Sequence, residues 1–348
     1  MASFISPILD YAIKSEASDI HLTEGDSVGF RINGTLSKVE KAGKLDSDKI
    51  KQMVLELFSG NKEDYGEYMK NKDADFAYIH TDGTPFRVNA FFKLGKIGVV
   101  MRRIAGDPKT IEELGLPESV SKFTKAKQGL ILITGPTGSG KSTSMVSILD
   151  EINKTRNEHI LTVEDPVEFV FKDNKSIFSQ REIGRDSKTF ESALRAAMRE
   201  DPDIIVVGEM RDRETVEAAM ELAETGHLVI STMHTSGSVQ TITRLVNFFP
   251  PDIQNSVRYK LADILTGVLS QRLIKTADGK GRTGIFELMF MTSGIKNLIR
   301  TGEFNQINNN IEMGSQDGMI RMKNYADKKA EDGLINEEDY INYFEEDY

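Results

Sequence analysis

The chain has no cysteine among its 348 residues. That excludes disulfides, cysteine-ligated zinc and thiol catalysis, and suits a reducing compartment. It lacks an apolar run long enough to span a bilayer. Its first sixteen residues are short apolar runs broken by Asp10, Lys14 and Glu16, so they do not read as a signal peptide. Positive charge is also short: 44 Lys and Arg against 54 Asp and Glu give a net charge of −10, which argues against a broadly basic nucleic-acid surface. There is no internal repeat and no low-complexity segment. The expectation is a cytoplasmic protein with no integral membrane segment. Its length suits two domains, each able to bury a core.

What is present centres on one stretch. Leu130-Ile131-Leu132-Ile133-Thr134 is apolar or β-branched and reads as a buried parallel strand. Gly135-Pro136-Thr137-Gly138-Ser139-Gly140-Lys141-Ser142 fits G-x-x-x-x-G-K-[ST], with Thr143 following. Glycines let such a loop curl so that its N–H groups face phosphate oxygens. Lys141 is then placed for the β- and γ-phosphates, and the Ser142 hydroxyl for Mg²⁺. A helix starting near Ser142 brings its positive end to the same place. The predicted ligands are ATP and Mg²⁺.

Ahead of this stretch, residues 1–105 read as a compact α+β domain. Ile5, Ile8, Leu9, Ala12 and Ile13 share a helical face, and a second helix is expected over 46–58. Strands are expected at 18–22, 28–32, 74–79, 85–92 and 97–104, with Asn33-Gly34 as a hairpin turn. Arg87 and Arg102 fall in neighbouring strands, near Arg31 and Arg103. Such arginines grip phosphate or simply line a solvated face. His21 beside Asp19 is read as a structural hydrogen bond, because no nucleophile lies close in sequence. Gly106-Asp107-Pro108 and Gly115-Leu116-Pro117 mark a linker over 106–118.

Beyond the linker, strands at 130–134, 159–163, 204–207 and 228–232 alternate with helical segments, which predicts an α/β domain with a parallel sheet over 119–290. Ligands bind such sheets beyond the strand carboxyl ends. There the sequence places Glu164 and Asp165, then Gly208 and Glu209, then Met233 and His234. Hydrolysis needs such groups, because Mg²⁺ takes oxygen ligands or water-holding carboxylates and the attacking water needs an acceptor. Glu209 is the candidate base or water-orienting residue. Glu164 is its partner, and both are candidates for the metal site with Ser142. Arg195, Arg199 and Arg211 flank these strands, and His227 should sit at the opposite edge. A helix is expected from about Ile253 through Leu273, a strand at 284–288, and a helical region over 291–348 that ends in an acidic, aromatic tail.

Taken together, four stretches resemble the Walker A, Asp, Walker B and His boxes of the type II/IV secretion-system ATPases. They are Gly135 to Ser142, Leu161-Thr162-Val163-Glu164-Asp165-Pro166-Val167-Glu168, Arg195 through Glu209-Met210-Arg211-Asp212, and Thr225-Gly226-His227 through Met233-His234-Thr235. Ala17-Ser18-Asp19-Ile20-His21 and Pro85-Phe86-Arg87-Val88-Asn89-Ala90 resemble the same group's PAS-like N-terminal domain. Within the group, the chain is most similar to the pilus-retraction branch. It starts at the PAS-like domain, it has no tetracysteine zinc site, and Gly294-Ile295-Lys296-Asn297-Leu298-Ile299-Arg300-Thr301 resembles the retraction motif AIRNLIRE.

The resemblance implies a PAS-like α+β domain, a RecA-like P-loop ATPase domain and a helical C-terminal extension. It implies a homohexamer that acts at the inner membrane on a pilus platform protein, and ATP hydrolysis that drives pilin removal. It further implies that Arg87 and Arg102 act as charge-stabilising fingers at a site shared between subunits. Glu209 and Glu164 match the family's catalytic acids, and His234 a histidine near the γ-phosphate. An assembly or secretion ATPase of the same group is the near alternative. A ring nucleic-acid translocase is the distant one, disfavoured by the acidic charge and the lack of an aromatic–basic strand surface.

Overall fold

The computed structural model describes residues 3–32, 34–39, 43–104 and 106–344. Asn33 of the expected hairpin turn, and Glu345, Glu346, Asp347 and Tyr348 of the tail, lie outside the described residues. The chain forms two compact units. One is Met1–Gly106 with Pro166–Val170; the other is Asp107–Asp165 with Phe171–Tyr348.

The first unit runs α1 (Ser6–Lys14), β1 (Asp19–Thr23), β2 (Gly29–Ile32), β3 (Thr35–Lys38), α2 (Ser47–Leu57), α3 (Lys62–Asn71), β4 (Asp73–Ile79), β5 (Pro85–Lys93) and β6 (Lys96–Arg103). Its sheet has the order β3-β2-β1-β6-β5-β4, and every neighbouring pair is antiparallel. Pro7 sits in the first turn of α1, and Asp46 caps α2 by accepting from the Lys49 N–H at 2.8 Å. Alternation along β5 sends Phe86, Val88 and Ala90 into the core with Leu9, Ile50, Val54 and Met101, and leaves Arg87 and Asn89 on the other face. The expected Asp19–His21 bond does not form. The Asp19 carboxylate accepts from Ser18 and Arg102 instead, and His21 Nε2 is buried with no partner among the described residues.

The second unit opens with a 3₁₀ turn (Glu118–Val120) and α4 (Ser121–Lys125). It continues β7 (Gly129–Thr134), α5 (Lys141–Thr155), β8 (His159–Glu164), β9 (Ile177–Glu182), α6 (Phe190–Ala197), β10 (Ile204–Val207), α7 (Arg213–Glu224), β11 (Leu228–Met233), α8 (Ser238–Asn247), α9 (Gln254–Ile264), β12 (Leu265–Lys275) and β13 (Arg282–Phe290). The helical C-terminal part is α10 (Ser293–Thr301), α11 (Ile307–Met313), α12 (Met322–Glu331) and α13 (Glu337–Phe344). The sheet has the order β13-β12-β7-β11-β10-β8-β9. It is parallel from β12 to β9, and β13 is antiparallel to β12. Its central strands are apolar on both faces. Leu130 and Leu132 of β7 join one core with Leu161, Ile205 and Val229, while Ile131 and Ile133 join another with Ile160, Ile204 and Ile230.

The helix expected through Leu273 ends at Ile264. Residues 265–275 are β12, which lies between β7 and β13 and is buried on both faces by Val268 and Leu269. Strand β9 and helix α3 are additions that the pattern did not suggest. The charge pattern of the tail predicts a solvated amphipathic helix, and its described part is not wholly so. Tyr340 and Phe344 pack on a small cluster of Ile274, Ile285, Met322, Ala326 and Ile335.

Candidate nucleotide site

In the second unit, four strand ends bring the predicted groups to one edge. The loop after β7 makes its turn where side chains would not fit. A Cβ on Gly135 would stand 2.2 Å from the Gln271 carbonyl oxygen, and Gly140 caps α5 with φ +87°. Lys141 is buried, and its Nζ donates to the Gly135 and Pro136 carbonyls at 2.9 and 3.1 Å. Ser142 and Thr143 lie in the first turn of α5. The helix thus starts with its unbonded N–H groups beside a lysine, the arrangement that receives a phosphate.

Glu164 ends β8. It is buried, and its Oε1 accepts from Thr162 Oγ1 at 2.7 Å and from Gln180 Nε2 at 3.4 Å. Glycine at 208 is explained by space: a Cβ there would stand 3.2 Å from the Val163 oxygen and 3.3 Å from the Glu164 Cα. A side chain at 208 would press on the end of β8, and the carboxylate comes one residue later. Glu209 is 14% exposed, pairs with Arg211, and lies 3.2 Å from His234 Nε2. Thr232 Oγ1 donates to the Gly208 carbonyl at 2.7 Å and so joins β11 to this turn.

His234 Nδ1 is 3.4 Å from Thr137 Oγ1. Burial pushes the imidazole below its usual range, and the positive charges of Lys141 and Arg211 push it further. A neutral ring suits both contacts, with Nδ1 accepting the Thr137 hydroxyl and Nε2 lying beside the Glu209 carboxylate. Thr137, His234 and Glu209 therefore form one string from the glycine loop to the strand-end acid. The loop that follows His234 is tied down behind it. Gly237 N–H donates to Ser270 Oγ at 2.8 Å, Ser238 N–H to Glu287 Oε1 at 2.8 Å, and Arg272 Nη2 to Ser236 Oγ at 3.0 Å.

The remaining predicted residues lie elsewhere. Arg195 is paired with Glu191 on α6. His227 Nδ1 faces the Leu222 carbonyl, at the start of β11. Arg87 and Arg102 belong to the first unit, directly opposite one another on β5 and β6. Arg102 Nε donates to Asp19 at 2.8 Å, and Arg87 lies 3.0 Å from Asp75 and 3.6 Å from Glu168. They line a cleft of about 720 Å³ with Asp19, Asp75 and Asn89. Sequence reasoning missed Gln271, Thr232 and Gln180. Gln271 would have been visible only once 265–275 was recognised as the strand beside β7.

Comparison with known proteins places this arrangement. The type II/IV secretion system protein family matches residues 1–341. The chain belongs to that family. It is 39% identical to the type IV pilus retraction ATPase PilT of Pseudomonas aeruginosa over 335 residues, 96% of each chain. It is 38% identical to the twitching motility protein of Neisseria gonorrhoeae over 333 residues, 93% of this chain and 88% of the relative. The crystal structure of the pilus retraction motor PilT with bound ADP superposes with a TM-score of 0.89 at 40% identity, covering 98% of this chain and 97% of that one. The fold class is the one that the resemblance implied, an N-terminal domain followed by a RecA-like ATPase domain. Among the described residues, no helix is long and apolar enough to cross a membrane.

Proposed function

We propose that the chain is an ATP-hydrolysing motor that retracts a type IV pilus and so drives twitching motility. It works as a ring of six copies at the cytoplasmic face of the inner membrane and pulls through a platform protein there. The observation that carries this reading is the meeting of the glycine loop, Glu164, Glu209 and His234 on one sheet edge, in a chain that aligns with PilT almost end to end.

In this reading the loop from Gly135 to Thr143 cradles the ATP phosphates. Lys141 exchanges its loop carbonyls for β- and γ-phosphate oxygens. Glu209 orients the attacking water and accepts its proton. Glu164 holds the neighbouring water shell, and His234 reports the γ-phosphate to Glu209. Among the described residues, no three carboxylates or histidines cluster as a metal cage. Mg²⁺ that arrives with nucleotide keeps waters and phosphate oxygens and needs only one or two protein oxygens. Ser142 would hold it, with Glu164 and Glu209 as the neighbouring acids. When bound, Mg²⁺ neutralises charge on the phosphates. Arg87 and Arg102 serve a neighbouring subunit's phosphates.

Purified Lys141→Ala and Glu209→Gln proteins should each lose hydrolysis, the first through loss of nucleotide binding and the second with binding kept. Near-normal turnover in both would defeat the site assignment. A strain lacking the gene should carry excess pili that do not retract; loss of pili instead would point to an assembly motor.

A further inference from the structure

The side chain of Gln271 on β12 lies against the glycine loop and is assigned no role in the account above. It is 2% exposed, and its Nε2 donates to the Ser139 carbonyl at 2.7 Å. Its backbone oxygen stands where a Cβ of Gly135 would be, and its Nε2 would lie 3.2 Å from a Cβ of Gly140. Gln271 thus meets the loop at its first glycine, its last glycine and the serine between them. Its Oε1 has no hydrogen-bond partner among the described residues, and neither does Ser139 Oγ.

A trans peptide is planar, and its C=O and N–H point in opposite directions. Turning the Ser139 carbonyl onto Gln271 therefore turns the Gly140 N–H to the opposite side. The Pro136 carbonyl is held differently, by Lys141 Nζ and the Ser139 N–H of the loop itself. With carbonyls turned outward, a loop of this kind presents its amides inward as an anion nest. Lys141 holds one such peptide, but it must leave its carbonyls to meet phosphate. Gln271 has no such second duty, so its hold persists when nucleotide is present.

We infer that Gln271 is a positioning residue for nucleotide: it locks the 139–140 peptide so that the Gly140 amide donates to phosphate. The inference rests on the nucleotide-site reading and adds a residue to it. Stability alone gives weak reason for glutamine here, because its unpaired buried oxygen offsets what its Nε2 bond to the Ser139 carbonyl contributes.

The test compares Gln271→Met and Gln271→Glu with the full-length parent, using ADP as the probe. Methionine keeps length and volume but removes the donor. Its ADP dissociation constant should rise about tenfold, a change of about 1.4 kcal/mol, while the nucleotide-free protein still melts cooperatively and well above the assay temperature. Glutamate is donor-free when ionised and a donor when protonated. Its ADP affinity should be weak at neutral pH and climb toward the parent's as pH falls, with no such climb in the methionine variant. Parental ADP affinity in Gln271→Met, or a glutamate variant whose pH profile copies the methionine one, overturns the inference. Should methionine not fold, the glutamate profile is read against the parent's, and a pH dependence equal to the parent's overturns the inference. Retained ADP binding in Lys141→Ala would instead overturn the nucleotide-site reading, whatever Gln271 does.

Discussion

Arg102 shows how single residues in the first unit divide between holding and acting. Its side chain is 73% exposed, so its ion pair with Asp19 adds little stability by itself. Asp19 is the opposite case, a carboxylate only 5% exposed. Burial alone would raise its carboxyl. Hydrogen bonds from Arg102 and Ser18, with the charges of Arg102 and Arg31, outweigh that and hold it below the usual carboxylate range. The folded chain then keeps this group ionised to lower pH than the unfolded chain does. Its contribution is complete above the ordinary carboxylate range and drains away as pH falls through the lowered value. Asp19→Asn should therefore be less stable than the parent at neutral pH and lose less on acidification, as read from urea midpoints at the two pH values. Equal losses in both proteins would remove Asp19 from the account. In the proposed motor the same variant should also lower turnover without weakening ADP binding, because Arg102 would lose the group that fixes its Nε.

At the scale of elements, the loop after β11 is the instructive piece. It carries His234, yet the loop and the start of α8 are anchored on β12 and β13 by three hydrogen bonds. Glu287 is a buried carboxylate that accepts the Ser238 N–H at the start of α8, with Arg321 at 3.7 Å. Replacing it with alanine removes a charge-assisted bond worth about 1.5–3 kcal/mol and leaves the amide unpaired. Glu287→Ala should lower kcat more than it weakens ADP binding, since the glycine loop does not depend on it. A loss confined to ADP affinity would count against this anchor.

The same strands show where sequence reading stopped. Leu261, Ile264, Leu265, Val268 and Leu269 keep helical spacing straight through the junction, with no turn residue between α9 and β12. Burial on both faces, between β7 and β13, is what makes 265–275 a strand, and that is a tertiary fact. Strand β9 carries Ser179, Gln180 and Arg181 on an edge and is fixed by pairing with β8. Half of α3 is charged, Gly66 stands in its middle, and only Tyr68 is buried. The glycine loop, the strand-end acids and His234 were legible because each follows a strongly apolar strand that sets its own position. Gln271 was not, because its place depends on which strand lies beside β7.

For the whole molecule, the decisive question is whether one copy suffices. The glycine loop, Glu164, Glu209 and His234 belong to one unit, and Arg87 and Arg102 to the other. In a closed ring with a heterologous interface, each copy gives one surface and receives the other. If the arginines serve a neighbour, a Lys141→Ala copy still offers good arginines and an Arg102→Ala copy still offers a good loop. Each variant alone should be inactive. Mixed in equal amounts and allowed to exchange subunits, roughly a quarter of interfaces would pair an intact loop with an intact arginine. Hydrolysis should then reappear in the mixture and vanish on dilution below the assembly range. A mixture as inactive as its parts, under conditions where mass measurements show mixed rings, would place the arginines and the loop of each working site in the same copy.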